Sequence, residues 1–217
     1  VEDVARLLQV TAGHDPYDST SMAIDVPDYL SHLTGDIKGM RVGLPKEYFV
    51  DGLEDDVRAA VDAAIKQFEA LGAEPVEVSL SMTDYSLAVY YLVATSEASS
   101  NLARFDGIRF GPKDDRGDMW DTYRATRARF GDEVKRRIML GTYALRAGYY
   151  DAYYGKAQAV RTLIKREFEA AFEQADVLLT PVTPTSAFRI GQVADPLQMY
   201  LADVLTVGAS LAGMAAM

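Results

Sequence analysis

Between Lys135 and Gln158 the chain runs KRRIMLGTYALRAGYYDAYYGKAQ, and this stretch concentrates the side chains best suited to holding a charged ligand. Arg136 and Arg137 stand side by side, with glycines following at 141, 148 and 155 and tyrosines at 143, 149, 150, 153 and 154. An arginine here is most often half of a structural ion pair. Its planar fork is also the natural receptor for a carboxylate, because it offers two parallel N–H bonds. Tyr149 with Tyr153, and Tyr150 with Tyr154, lie one helical turn apart, so their rings can pack while their hydroxyls seek partners. Such stripes are commonly core. A glycine costs roughly 0.8 to 1 kcal/mol against alanine inside a helix. Three of them predict either close approach of another backbone or a break between two helices.

The rest of the chain supplies elements that can position these groups. Met40 to Leu44 is a short apolar strand closed by Pro45. A helix is predicted over Leu53 to Leu71, with Val57, Val61, Ile65 (or Ala64), Phe68 and Leu71 on one face and Glu54, Asp55 and Asp56 at its positive N-terminal end. Gly72 stops it. Val76, Val78 and Leu80 then alternate with Glu77 and Ser79 as a second strand. Strand, helix and strand in this order form a right-handed crossover with a parallel pair, and the fold class is α/β. A further helix is predicted over Leu87 to Phe105, with Tyr91, Ala94, Ala98, Leu102 and Phe105 at helical spacing. Its run SEASSN is small and polar. Ser96, Ser99 and Ser100 are expected to be structural, since none has a neighbouring histidine or lysine to make it a nucleophile. Trp120 to Phe130 is helical, and an amphipathic helix follows Gly155 as far as Gln174, burying Ala157, Val160, Ile164, Phe168 and Ala171. Val177 to Leu179 is an apolar strand ended by Pro181 and Pro184, the kind of strand end where α/β proteins place ligands. In DPLQMYLADVLTVGASLAG, Asp203 sits among apolar neighbours as either a helix cap or the partner of a bound cation.

Composition narrows the function classes. Over 217 residues, 32 acidic against 22 basic side chains give a formal charge of −10, which argues against direct binding of nucleic acid. No cysteine is present, so disulfides, thiolate metal sites and cysteine nucleophiles are excluded. No apolar run reaches about 18 residues and no basic, apolar leader precedes Val1, which predicts an intracellular, cytoplasmic protein. Residues 11–39 hold both histidines, His14 and His32, in a Gly-, Asp- and Ser-rich segment expected to be an irregular connection. The helical register of VEDVARLLQV from the first residue, and the apolar ending LAGMAAM, predict one incomplete domain over 1–217, a fragment of a longer protein whose N-terminal part and C-terminal end are absent. No HExxH, GxGxxG, GxxxxGK[ST] or GxSxG pattern occurs. No metal site or cofactor of this chain's own is expected.

Five segments carry a resemblance: HDPYDSTS, YYLVATSEASSNLARFDGIRFG, EVKRRIMLGTYALRAGYYDAYYGKAQAVRTLIKREFEAAF, LLTPVTPT and DPLQMYLADVLTVGASLAG. Together they resemble the amidase signature family, and within it the A subunits of glutamyl-tRNA(Gln) amidotransferases, to which the SEASSN and GYYDAYY blocks are peculiar. The resemblance implies a mixed, largely parallel sheet flanked by helices. It implies hydrolysis of glutamine by a serine, cis-serine and lysine set carried ahead of this region, with ammonia passed to a partner that amidates glutamate on a misacylated tRNA. No catalytic residue is therefore assigned in this chain. It also implies the B and C subunits of the amidotransferase as partners, tRNA contact through the B subunit, and ATP with Mg in the partner subunit. By the same resemblance Tyr90, Arg137 and Asp203 hold free glutamine, with Tyr91 and Arg136 as adjacent alternatives. The alternative functions are a related hydrolase of another amide, or a non-catalytic module for subunit docking.

Overall fold

A computed structural model describes residues 1–49, 52–192 and 196–217, the side chains of 196–198 excepted. Asp195, which opens the DPLQMYLAD block, falls outside the described residues. The chain divides into two compact units, Val1–Lys38 and Gly39–Met217.

In the first unit α1 (Glu2–Thr11) begins with Glu2 and Asp3, which suit the positive end of a helix, and buries Ala5. The rest of the unit is irregular, apart from a single tight helical turn at Leu30–His32. It is held by aspartates that accept backbone N–H bonds two residues on. Asp15 accepts from Tyr17 at 2.9 Å, Asp18 from Thr20 at 2.9 Å and Asp36 from Lys38 at 3.0 Å. Such turns satisfy the backbone where no ladder can. Gln9 Oε1 accepts the Tyr29 N–H at 2.9 Å and ties this segment to the helix.

The second unit is built on a parallel sheet. Its strands β1 (Arg41–Pro45), β2 (Glu74–Val78) and β3 (Val177–Leu178) lie in the order β2-β1-β3. β1 pairs with β2 from Arg41↔Glu74 to Pro45↔Val78. The connection between them is α2 (Asp55–Ala70), so the predicted α/β crossover is present. Pro45 continues β1 rather than closing it. Arg41 fastens β1 to the start of β3. Its Nη2 lies 2.7 Å from Asp176 Oδ1, its backbone N–H donates to Asp176 Oδ2 at 2.8 Å, and its Nη1 donates to the Glu173 carbonyl at 3.0 Å.

Among the described residues, six further helices surround this sheet: α3 (Thr83–Leu102), α4 (Met119–Ala128), α5 (Asp132–Leu145), α6 (Lys156–Gln174), α7 (Pro196–Leu201) and α8 (Val207–Ala212). Ile164 and Phe168 of α6, Val89 and Val93 of α3, Leu211 of α8 and Tyr48, Val78 and Leu80 beside the sheet form one core. Each large apolar side chain buried there contributes about 1.5 to 3 kcal/mol. The apolar face predicted for α6 is the observed one. On α3 the structure differs from expectation: the buried side chains are Thr83, Ser86, Val89, Val93, Thr95 and Ser96, not the stripe from Tyr91 to Phe105. The reason is that α3 is apolar on several sides, so spacing alone does not choose the face that meets a neighbour. Two glutamates hold the connection from β2 into α3. Glu47 accepts the Leu80 N–H and Glu167 accepts the Met82 N–H, each at 2.8 Å.

The three glycines of the opening stretch do different jobs. Gly141 is buried, and a Cβ there would lie 2.0 Å from the Thr95 carbonyl oxygen, so α3 and α5 cross with their backbones nearly touching. Gly148 has φ +81° in the break between α5 and α6, a conformation other residues adopt at a cost. Gly155 closes a single wide helical turn, Asp151–Gly155, that leads into α6.

Candidate functional site

The close crossing at Gly141 sets the geometry of the site, because it brings the first turns of α5 beside the N-terminal half of α3. A second link across the crossing joins Ser99 Oγ and Thr142 Oγ1 at 2.9 Å. α5 opens with Asp132 and Glu133, both favourable at the positive end of a helix. From there Glu133 reaches the two arginines one turn on. Its Oε1 accepts from Arg137 Nε at 2.9 Å, and its Oε2 pairs with Arg136. The Tyr200 hydroxyl of α7 donates to the same carboxylate, 2.9 Å from Oε1.

Tyr91 stands at the centre of this cluster. Its ring lies 4.4 Å from that of Tyr200 and 5.1 Å, edge to face, from that of Tyr90. The Arg137 guanidinium carbon lies over the Tyr91 ring at 5.7 Å from its centroid, within the range of a cation–π contact. At the far end of the same ring the Tyr91 hydroxyl donates to Asp203 Oδ2 at 3.4 Å. One aromatic side chain is therefore flanked by a fixed cation and a carboxylate from remote parts of the sequence. Of the sequence-predicted residues, Arg137 and Asp203 meet through Tyr91, while Tyr90 contacts the Arg137 side chain and also packs against the core. The other candidate, Arg136, is more exposed than Arg137 and turns to Glu133 and Tyr200. Asp203 is exposed and does not cap a helix with its side chain; the N-cap of α8 is Thr206, and the Asp203 carboxylate goes to Tyr91.

Electrostatics in the cluster follow from these contacts. Burial, and then the Asp203 carboxylate, push the Tyr91 hydroxyl up to about 12, with Arg137 pulling the other way. It therefore stays protonated and remains a donor. Glu133 is held below the usual carboxylate range, first by its bond from Arg137 and, against the effect of burial, by Tyr200. Arg137 is pulled down by burial, but its bonds to Glu133 and Tyr90 more than offset this and raise it overall. Glu133 uses the Nε–H edge of Arg137, so the Nη edge of the fork faces other partners.

Sequence reasoning missed Glu133 and Tyr200. Glu133 had a signal, since an acid four residues before an arginine on a helix is a standard pair. Tyr200 had none, because its contact with Tyr91 depends on how α7 meets α3.

Beyond β3, the segment Pro184 to Arg189 and Gln192 line a cavity of about 460 Å³ together with Glu54, Leu201 and Ala202, the residue before Asp203. Glu54 accepts from both the N–H and the Oγ of Ser186 at 2.9 Å, and these bonds hold it below the usual carboxylate range. The proline turn after the strand thus borders a hollow, as its position in an α/β sheet predicts. Among the described residues no group of three or more His, Cys, Asp or Glu is placed to hold a metal ion. No described helix is long and apolar enough to cross a membrane.

A parallel sheet flanked by helices agrees with what comparison shows: the family model described as Amidase matches residues 1–217, and the chain belongs to that family. Within it, the chain is 61% identical to the A subunit of glutamyl-tRNA(Gln) amidotransferase from Geobacter sulfurreducens and 60% identical to that from Halalkalibacterium halodurans, in each case over the whole chain and 45% of the relative. The chain thus spans about half the length of these relatives. The crystal structure of the A subunit from Thermotoga maritima superposes with a TM-score of 0.73 at 37% identity, covering 98% of this chain and 42% of that one. A bacterial aryl acylamidase of the amidase signature enzymes superposes at 0.69 with 20% identity, which speaks for the fold alone. The fold is that part of the amidase signature architecture.

Proposed function

We propose that the chain is the glutamine-binding part of the A subunit of a glutamyl-tRNA(Gln) amidotransferase. In this reading the parent protein releases ammonia from glutamine, and a partner uses it to convert glutamate on tRNA(Gln) to glutamine. The observation that supports it is the Arg137–Tyr91–Asp203 arrangement, a cation and a carboxylate on one aromatic ring. A free amino acid carries the complementary pair of charges on a single carbon. The Nη edge of Arg137, which Glu133 leaves to other partners, clamps the α-carboxylate, Asp203 takes the α-ammonium in exchange for its long bond to Tyr91, and the hydroxyls of Tyr90 and Tyr91 add directional hydrogen bonds. Such a grip selects a zwitterion over a plain amide.

The chemistry of bond cleavage is assigned to residues other than these, namely the serine, cis-serine and lysine set of the family. The B and C subunits, tRNA held through the former, and ATP with Mg bound by the partner complete the proposed complex, which acts in the cytoplasm.

The test is steady-state glutaminase kinetics of the full-length parent in its assembled complex. Each charge-assisted bond is worth about 1.5 to 3 kcal/mol, so Arg137→Lys and Asp203→Asn should each raise KM for glutamine roughly ten- to a hundredfold. Unchanged KM with weakened assembly would favour a docking role. Faster turnover of simple aliphatic or aryl amides than of glutamine would favour a general amidase.

A further inference from the structure

Arg137 and Asp203 are joined by two routes, which together close a circuit of residues. One route is the Tyr91 side chain, with the Arg137 guanidinium over its ring at 5.7 Å and the Asp203 carboxylate accepting from its hydroxyl at 3.4 Å. The other runs through Tyr200. The Asp203 N–H donates to the Tyr200 carbonyl at 3.1 Å, the Tyr200 hydroxyl donates to Glu133 Oε1 at 2.9 Å, and the same oxygen accepts from Arg137 Nε at 2.9 Å. The rings of Tyr91 and Tyr200, 4.4 Å apart, brace the circuit across its middle.

Two corners of the circuit are also held from outside. The Asp203 carbonyl accepts the N–H groups of Thr206 at 2.9 Å and Val207 at 3.2 Å, which tie it to the start of α8, and α8 sinks Leu211 and Ala212 into the core. At the opposite corner Arg136 pairs with Glu133 Oε2, which also lies 3.2 Å from the Tyr200 hydroxyl. The Glu133 carboxylate cannot turn away without giving up Arg136, Arg137 and Tyr200 together. Tyr200 is thus the member that refers the arginine on α5 to the aspartate that follows α7.

What such a circuit controls is a distance. An arginine fork and a carboxylate held at a fixed separation by supporting bonds suit one spacing between the two charges of a ligand. In a free α-amino acid both charged groups sit on a single carbon. One further methylene between them carries the ammonium away from Asp203 once the carboxylate is clamped. Resting on the glutamine grip proposed above, we propose that Tyr200 is a positioning residue that fixes the spacing between Arg137 and Asp203, and so makes the site select α-amino acids over β-amino acids. It acts through Glu133 on the arginine, not by a bond of its own to the ligand.

The test is glutaminase kinetics of the full-length parent in its assembled complex, with norvaline and its isomer β-aminopentanoate as competing ligands. These two carry the same charges and differ only in the carbon that bears the ammonium. In the parent, norvaline should inhibit the more strongly. Tyr200→Phe keeps the ring against Tyr91 and removes the hydroxyl, so KM for glutamine should rise roughly three- to tenfold, with the loss on KM rather than kcat, and the preference for norvaline should narrow by a similar factor. A merely structural tyrosine would lower the melting temperature and the active fraction but leave the ratio of the two inhibition constants where it was. Glu133→Gln should reproduce the narrowing, and the double variant should be no worse than the poorer single one, because both weaken the same link. Equal inhibition by the two isomers in the parent, an unchanged ratio in either single variant, or multiplied losses in the double variant would overturn the proposal. Raised KM in Arg137→Lys and Asp203→Asn beside an unaltered Tyr200→Phe sinks the positioning role alone, whereas unaltered KM in those two variants sinks the grip and the role of Tyr200 with it.

Discussion

Tyr91 shows how one residue's surroundings decide its chemistry. Thirteen tyrosines are present, and this one has its hydroxyl pushed up to about 12 by burial and by the Asp203 carboxylate. The consequence has a definite sign. An acid whose folded value lies above its unfolded value stabilises the fold below the unfolded value of about 10, and that contribution is lost as pH rises toward 12. Asp203→Asn removes the second cause and leaves burial, so Tyr91 should ionise at lower pH than in the parent. Tyrosine-selective carbon NMR through the alkaline range measures this; an unmoved Tyr91 resonance would show that Asp203 does not face its hydroxyl in solution. Glu133 works in the opposite direction, because its bond from Arg137 keeps it ionised to lower pH than an ordinary glutamate. The arginine therefore stays oriented throughout the neutral range.

Among the elements, the crossing of α3 and α5 governs the site. Gly141 permits it, with the Thr95 carbonyl where a Cβ would stand. Gly141→Ala must push backbone from backbone rather than shift a flexible side chain, so about 1 to 3 kcal/mol of stability should be lost. Chemical denaturation checks the stability. If the proposed function holds, the same variant also weakens glutamine binding, since the movement separates Arg137 on α5 from Tyr91 on α3. The sequence showed this element pair only in part. Glycines at 141, 148 and 155 announced close packing or a break, and both occur, but nothing in their spacing says which glycine serves which purpose. The buried face of α3 was hidden for a related reason. Its apolar and small residues are spread around the helix, and the neighbour that covers one side of it is remote in sequence.

At the scale of the second unit, the sheet is held by pairings between distant segments, and Arg41–Asp176 is a clear instance. Asp176 is kept below the usual carboxylate range of about 3.8 by its bonds from Arg41, the side chain first and the backbone N–H second. A depressed folded value means stability that is present above the ordinary value and lost as pH falls through the lowered one. Asp176→Asn should therefore melt at a lower temperature than the parent at neutral pH, and the gap should close in strongly acidic solution. Both side chains are over two-fifths exposed, so the effect is modest and falls with added salt. A gap that persists unchanged in acid would mean that the backbone bond, not the charge, holds the strand.

By itself the sequence determined the α/β class, the crossover through α2, the amphipathic face of α6 and the types of side chain that suit a zwitterion. These depend on local periodicity and on chemical identity, which are written residue by residue. Only the tertiary structure decided that Arg137 and Asp203 share one tyrosine, that Glu133 and Tyr200 fix the arginine, and that Ser96 lies buried without a partner among the described residues. Such facts arise from contacts between helices remote in sequence, and a crossing set by a backbone touching a backbone leaves no periodic trace along the chain.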